Sequence, residues 1–195
     1  MRATEQLQDE HQGIKVGLKI LMKFSEKLDS GEEVSARHLE QILDFIKTFA
    51  DRCHHAKEEK ILFPEMELSG VPRDGGPIGV MLAEHDLGRG YVKEMSESLA
   101  RYSKGQKDAA RELAKNARDY INLLTEHIEK EDNILYPIAD MHLDENQQKK
   151  LLKEFERIER EEIGEGKHEE YHCLLHALRD IYLTEKHCLN SAGVP

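Results

Sequence analysis

Two histidine-to-glutamate steps of four residues, His54 with Glu58 and His127 with Glu131, are each followed by a near-identical tail, Ile61-Leu62-Phe63-Pro64 and Ile134-Leu135-Tyr136-Pro137. On a helix this step puts imidazole and carboxylate roughly 5 to 6 Å apart on one face, close enough to serve one metal ion. The two pairs align at an offset of 73, and Asp9-Glu10-His11-Gln12 aligns with Ala83-Glu84-His85-Asp86 at an offset of 74, so an internal repeat carries the motifs. Each half supplies one upstream histidine and one HxxxE pair.

Buried, Glu58 and Glu131 would carry charges that cost several kcal/mol unless paired. Lys15 and Arg89, one turn past His11 and His85, flank the apolar seams rather than continue them. Two divalent cations would compensate the carboxylates and the imidazole lone pairs together. The donor set His11, His54, His85, His127, Glu58 and Glu131 is of intermediate hardness and suits iron, with manganese and zinc as substitutes. A ferritin-type site would use ExxH pairs on two helices and single glutamates on the others, the inverse of this arrangement.

The elements that must position these residues follow from periodicity. Ala110, Leu113, Ala117, Tyr120 and Leu124 recur at steps of three and four into His127 and Glu131, and Leu39, Leu43, Ile46 and Ala50 lead likewise into His54 and Glu58. Two further seams carry one histidine each: Leu7, His11, Ile14, Leu18 and Leu21, and Ile78, Met81, His85, Gly88 and Val92. Turn signals lie at Ser30-Gly31-Glu32-Glu33, between Ser69 and Pro77, and at Ser103-Lys104-Gly105. The midpoints between successive histidines, at 32 to 33, 69 to 70 and 106, fall inside the first two of these turns and beside Gly105 of the third. All four imidazoles are therefore expected at one level of an all-α, up-down-up-down four-helix bundle. Residues 1–142 form that bundle in this reading, and residues 143–195 form a C-terminal helical extension packed on it, drawn as an added hairpin broken at Gly164-Glu165-Gly166.

A chain of 195 residues accommodates one well-buried domain, and its 34% charged residues with five prolines fit a helical protein. The formal charge of −11 argues against nucleic acid and anionic membrane surfaces as partners. No apolar run is long enough to span a bilayer and no signal core opens the chain, so a cytoplasmic protein is expected. Three cysteines without CxxC spacing, Cys53, Cys173 and Cys188, predict reduced thiols.

The twice-repeated motifs, His54-His55-Ala56-Lys57-Glu58-Glu59 with Leu62-Phe63-Pro64, and His127 through Glu131 with Leu135-Tyr136-Pro137, together with His11 and His85, resemble the hemerythrin-like (HHE cation-binding) family over about residues 5 to 142. The resemblance implies two iron ions (Fe2+/Fe3+), oxo- or hydroxo-bridged, with Glu58 and Glu131 as bridging carboxylates and His11, His54, His85 and His127 as terminal ligands. His54 is taken over His55 because it aligns with His127 and lies on the apolar stripe. Oxygen-carrying hemerythrins add a histidine one turn after the position of His85, where this chain has Arg89. The set of four histidines and two carboxylates is similar to that of the bacterial di-iron proteins of cluster repair and nitric-oxide response. The implied function is binding of, or reaction with, a small oxidant: dioxygen, peroxide or nitric oxide, with an electron-donor protein as a further partner. The alternative is storage or sensing of iron or oxygen without turnover.

His168-Glu169-Glu170-Tyr171-His172 matches the HExxH pattern of zinc metalloproteases, with His176 as the sole obvious third ligand; the polar face of a C-terminal helix is the preferred reading. Cys53 is read as a small core residue. Tyr120, two turns from His127, is placed to shield the centre.

Overall fold

The computed structural model describes residues 1–164 and 166–184, and among them there is no strand. Helix α1 (Ala3–Asp29) ends at Gly31, whose φ of 79° takes the left-handed turn that glycine adopts without a Cβ penalty. Helix α2 occupies residues 36–68, α3 spans Pro77–Tyr102, and α4 occupies residues 107–142. Successive helices are antiparallel neighbours, and α1 also packs on α4, which closes the bundle. Where α1 crosses α2 the backbones approach closely: a Cβ on Gly17 would stand 2.7 Å from the Phe45 ring.

Helices α2 and α4 are not uniform. Both contain a π turn that begins at the repeated glutamate, Glu58–Leu62 and Glu131–Leu135, closed by the Phe63 N–H to the Glu58 carbonyl and by the Tyr136 N–H to the Glu131 carbonyl. The repeated prolines supply the cause. Pro64 and Pro137 have no N–H to donate, and their rings would strike the carbonyls of Lys60 and Asn133 in an unbroken α-helix. One extra residue in the turn relieves both conflicts. Helix α2 carries a second and longer π segment, Ile46–His55, immediately before the motif.

Two apolar clusters bracket the histidines. One gathers Leu18, Phe24, Ile42, Phe45, Val92 and Leu124; the other gathers Leu7, Leu62, Phe63, Leu135, Tyr136 and Phe155. The C-terminal segment completes both. Helix α5 (residues 145–163) adds Leu151, Phe155 and Ile158 to the second cluster, and α6 (Lys167–Tyr182) adds Tyr171, Leu175 and Leu178 to the first.

These two helices do not fold back on each other as the predicted hairpin would. Gln147 reaches Glu65, Lys60 reaches Glu162, Tyr171 reaches Asp44 and Tyr182 meets His38, so the segment runs in one direction along α2, antiparallel to it. The physical reason is the apolar face of α6, which finds its partners further along the α1/α2 groove rather than on α5. Cys188, one of the three thiols, lies outside the described residues.

Candidate metal centre

The four repeat histidines meet at one level, as their turn midpoints required. His11, His54, His85, His127, Glu58 and Glu131 are each at most 1% exposed. The imidazoles form two pairs, His11 with His54 at 3.0 Å and His85 with His127 at 3.1 Å, each measured between Nε2 atoms. Glu131 lies between the pairs, 3.2 Å from His11 Nε2 and 3.0 Å from His127 Nε2, and Glu58 lies 3.8 Å from His54 Nε2 and 3.5 Å from His85 Nε2.

Every Nδ1 is turned outward onto a carboxylate. His11 meets Asp132 at 2.7 Å, His54 meets Glu10 at 2.9 Å, His85 meets Glu59 at 2.7 Å and His127 meets Glu84 at 2.9 Å. Each of these carboxylates is held in turn by a cation: Lys15 on Asp132, Lys57 on Glu10, Arg89 on Glu59 and Lys130 on Glu84. Lys15 and Arg89 therefore pair with the outer carboxylates and leave Glu58 and Glu131 uncompensated. The whole shell obeys the repeat, since Glu10 and Glu84, Lys57 and Lys130, and Lys15 and Arg89 are counterparts.

This wiring decides the fit to a metal. A neutral imidazole that donates from Nδ1 offers a bare lone pair at Nε2, and here such lone pairs face each other and the carboxylate oxygens. Glu58 Oε2 and both oxygens of Glu131 are buried without a hydrogen-bond partner. Buried acceptors left without donors carry a desolvation penalty that a cation would remove. The protonation pattern is mixed: burial works to lower His11 and His127, but Asp132 and Glu131 beside the first, and Glu131 and Glu84 beside the second, outweigh it and raise both. Burial pushes His54 down to about 4 despite its bond to Glu10. Burial and the adjacent Glu131 charge hold the Glu58 carboxyl well above its usual range. Burial works against ionisation of Glu131 too, but His127 and His11 outweigh it and hold that carboxyl well below.

Two further groups enter the site without a signal in the repeat. Tyr136 donates its hydroxyl to Glu58 Oε1 at 2.7 Å and stacks on His11, a closer approach than Tyr120, which lines a cavity beside Gly88. His55 is 5% exposed and stacks on His85 at 3.9 Å between ring centroids. Ligand atoms of His55, Glu58, His85 and His127 all lie within 4.8 Å of one another, as do those of His11, His54 and Glu131. A π helix has more residues per turn than an α-helix, so the angle between consecutive side chains shrinks. At the end of Ile46–His55 this lets neighbours His54 and His55 both face inward. The His-His doublet was the available sequence signal.

The HExxH sequence does not form a zinc protease site. His168 turns to Phe49 and to Cys53, 3.7 Å from its Sγ, while His172 pairs with His176 on the exposed face of α6. Cys53, Glu159 and His168 come close together. Glu159 is already engaged by Lys57 at 2.5 Å and Gln6 at 2.7 Å, and burial pushes the Cys53 thiol up to about 12. Glu159 is thus half-buried and engaged by Lys57 and Gln6.

Inward histidines and carboxylates at mid-height of a four-helix bundle define a non-haem metal-binding bundle protein. The sequence of residues 2–139 matches the model of the hemerythrin HHE cation-binding domain, and the chain belongs to that family; non-haem iron is the metal the family implies. The chain is 32% identical over 125 residues to the iron-sulfur cluster repair protein YtfE of Edwardsiella ictaluri (strain 93-146), covering 63% of this chain and 56% of that protein. It is 37% identical over 89 residues to the protein of the same name from Yersinia pestis (strain Pestoides F), covering 44% and 40%. The chain thus spans roughly half the length of these relatives or less. Among the described residues no helix is long and apolar enough to cross a membrane.

Proposed function

We propose that the centre holds two iron ions and that the protein binds or reacts with a small oxidant there. One observation carries the two-metal reading: each inner carboxylate lies between one imidazole of the His11/His54 pair and one of the His85/His127 pair. That is the placement of a bridging ligand. Within this reading His11 and His54 serve one ion, His85 and His127 the other, and Glu58 and Glu131 join them. Bound there, iron would supply one-electron redox chemistry and open coordination positions, since four imidazoles and two carboxylates offer fewer donors than two six-coordinate ions accept.

The protein's own residues set the conditions for that chemistry. The outer carboxylates fix the tautomers, Tyr136 orients Glu58, and the apolar clusters on either side exclude bulk water. A cavity of about 420 Å³, lined by Asp51, His55, His85, Arg89 and Tyr120 among others, leads a molecule of peroxide or nitric-oxide size to the His85 side. An electron-donor protein would complete a catalytic cycle.

Metal content per chain and absorption spectra test this. About two irons, with charge-transfer bands that bleach on anaerobic reduction and return in air, are expected. One ion or none, or a redox-silent metal, would overturn it. Multiple-turnover consumption of peroxide or nitric oxide separates reaction from the second reading, storage or sensing without turnover. The likeness to iron-sulfur cluster repair proteins favours a third use of the same centre, iron handling for cluster repair, which iron transfer to an apo iron-sulfur protein would reveal.

A further inference from the structure

The ligands of the two halves match and their outer partners are counterparts in position and charge, but two inward positions break the symmetry: Tyr136 stands where the other half has Phe63, and the residue after the HxxxE histidine differs. At the offset of 73 that relates His54 to His127, the residue after His54 is His55 and the residue after His127 is Ile128. Both are buried, at 5% and 1% exposure, so the same interior position holds an imidazole in one half and a hydrocarbon in the other.

His55 is also wired as the repeat histidines are. Its Nδ1 faces the carboxylate of Asp51 at 3.4 Å, and Asp51 is held by Arg89 at 2.8 Å. Imidazole, carboxylate and cation thus occur in series a fifth time. This is the arrangement that fixes a ring for coordination through its other nitrogen. Its ring stacks on His85 with 16° between planes and meets His127 edge-on at 5.9 Å. A plain core position would be met more cheaply by the isoleucine of the other half, because a buried polar ring costs free energy unless its nitrogens are used.

We propose that His55 is a fifth histidine ligand, so that the ion served by His85 and His127 carries three imidazoles and the ion served by His11 and His54 carries two. The inference rests on the two-metal reading above. It makes the centre asymmetric, and it leaves the more open coordination on the His11/His54 ion. Arg89, which grips both Asp51 and Glu59, then positions the partners of His55 and His85 together.

The test compares wild type with His55→Ile, which copies the other half, and with His55→Asn, should the larger change impair folding. Each is loaded anaerobically with ⁵⁷Fe(II) and read by iron per chain, chelator competition and Mössbauer spectroscopy, with thermal unfolding of the metal-free proteins as a folding control. Wild type should hold two irons in two distinct environments. The variants should fold, lose the distinction between the signals, and bind one iron more weakly by at least about tenfold. Two irons with unchanged spectra and affinity in both variants would overturn the fifth ligand while leaving the two-metal reading intact. Wild type holding a single iron would overturn the two-metal reading; the variant spectra would then decide His55 by whether the signal of that one ion moves.

Discussion

The Nδ1–H of His54 donates to Glu10 across 2.9 Å, and His127 makes the same bond, at the same distance, to Glu84. Each carboxylate sits one position before an upstream histidine of the repeat, so a single His-preceding glutamate orients the imidazole of the neighbouring helix. Glu10→Gln and Glu84→Gln should keep the fold and lower metal affinity by about 10- to 100-fold, the usual cost of losing an outer partner of a ligating histidine. Competition with a chelator of known affinity measures this. Unchanged affinity would mean that packing alone sets the rings.

Removal of an inner donor should act more strongly. His54→Ala or Glu131→Ala should lose bound metal and the stability that comes with it, about 3 kcal/mol when free metal stands a hundredfold above its dissociation constant. His142→Ala should keep both, because that ring lies at the surface with Nδ1 on the Ser69 carbonyl. Metal content and unfolding with and without chelator report the difference. Equal metal in all three variants would remove the ligand assignment.

The convergence of the four histidines was legible because helix period and turn placement are local properties, and an antiparallel hairpin converts equal distances from a turn into contact. His11 and His54 met for that reason. The π turns were not legible from apolar periodicity, which assumes α geometry throughout; Pro64 and Pro137 marked them, but only as part of a repeat. His55 was set aside because His54 aligns with His127 and lies on the apolar stripe, from which one α-helical step, about 100°, would carry its neighbour. The direction of α5 and α6 depended on which groove would cover Tyr171 and Leu175, a long-range matter that Gly164 and Gly166 leave open. Lys57, which apolar periodicity did not single out, is fully buried.

Cys53 gives a prediction with the opposite sign to that of a reactive thiol. Buried, and pushed up to about 12, it has almost no thiolate at pH 8. Iodoacetamide at that pH should modify exposed Cys173 in the folded protein and reach Cys53 only after denaturation. Peptide mapping after timed quenching checks it; rapid labelling of Cys53 in the native state would show that α6 opens away from α2.

Lys57 links the site to the C-terminal segment, and its removal should be felt in both. Its side chain is fully buried, donates to Glu10 and to Glu159, and stands 5.7 Å from the centroid of the Phe155 ring. Lys57→Met leaves two carboxylates without their cation, which should cost about 3 to 5 kcal/mol. The pH dependence distinguishes this from a packing defect. Burial works to raise the Glu10 carboxyl, but the His54 bond and the Lys57 charge outweigh it and hold it at about 2, against 4.5 for the ordinary group. A carboxyl depressed in the folded state contributes stability that is present above pH 4.5 and is lost as pH falls toward 2, about 3 kcal/mol for this interval. Urea unfolding of the metal-free protein across that window should show a steep loss in wild type. In Lys57→Met the loss should be shallower, because much of the depression is already gone. Parallel curves, offset but equal in slope, would assign the cost to packing against Phe155 instead of to the buried charge pair.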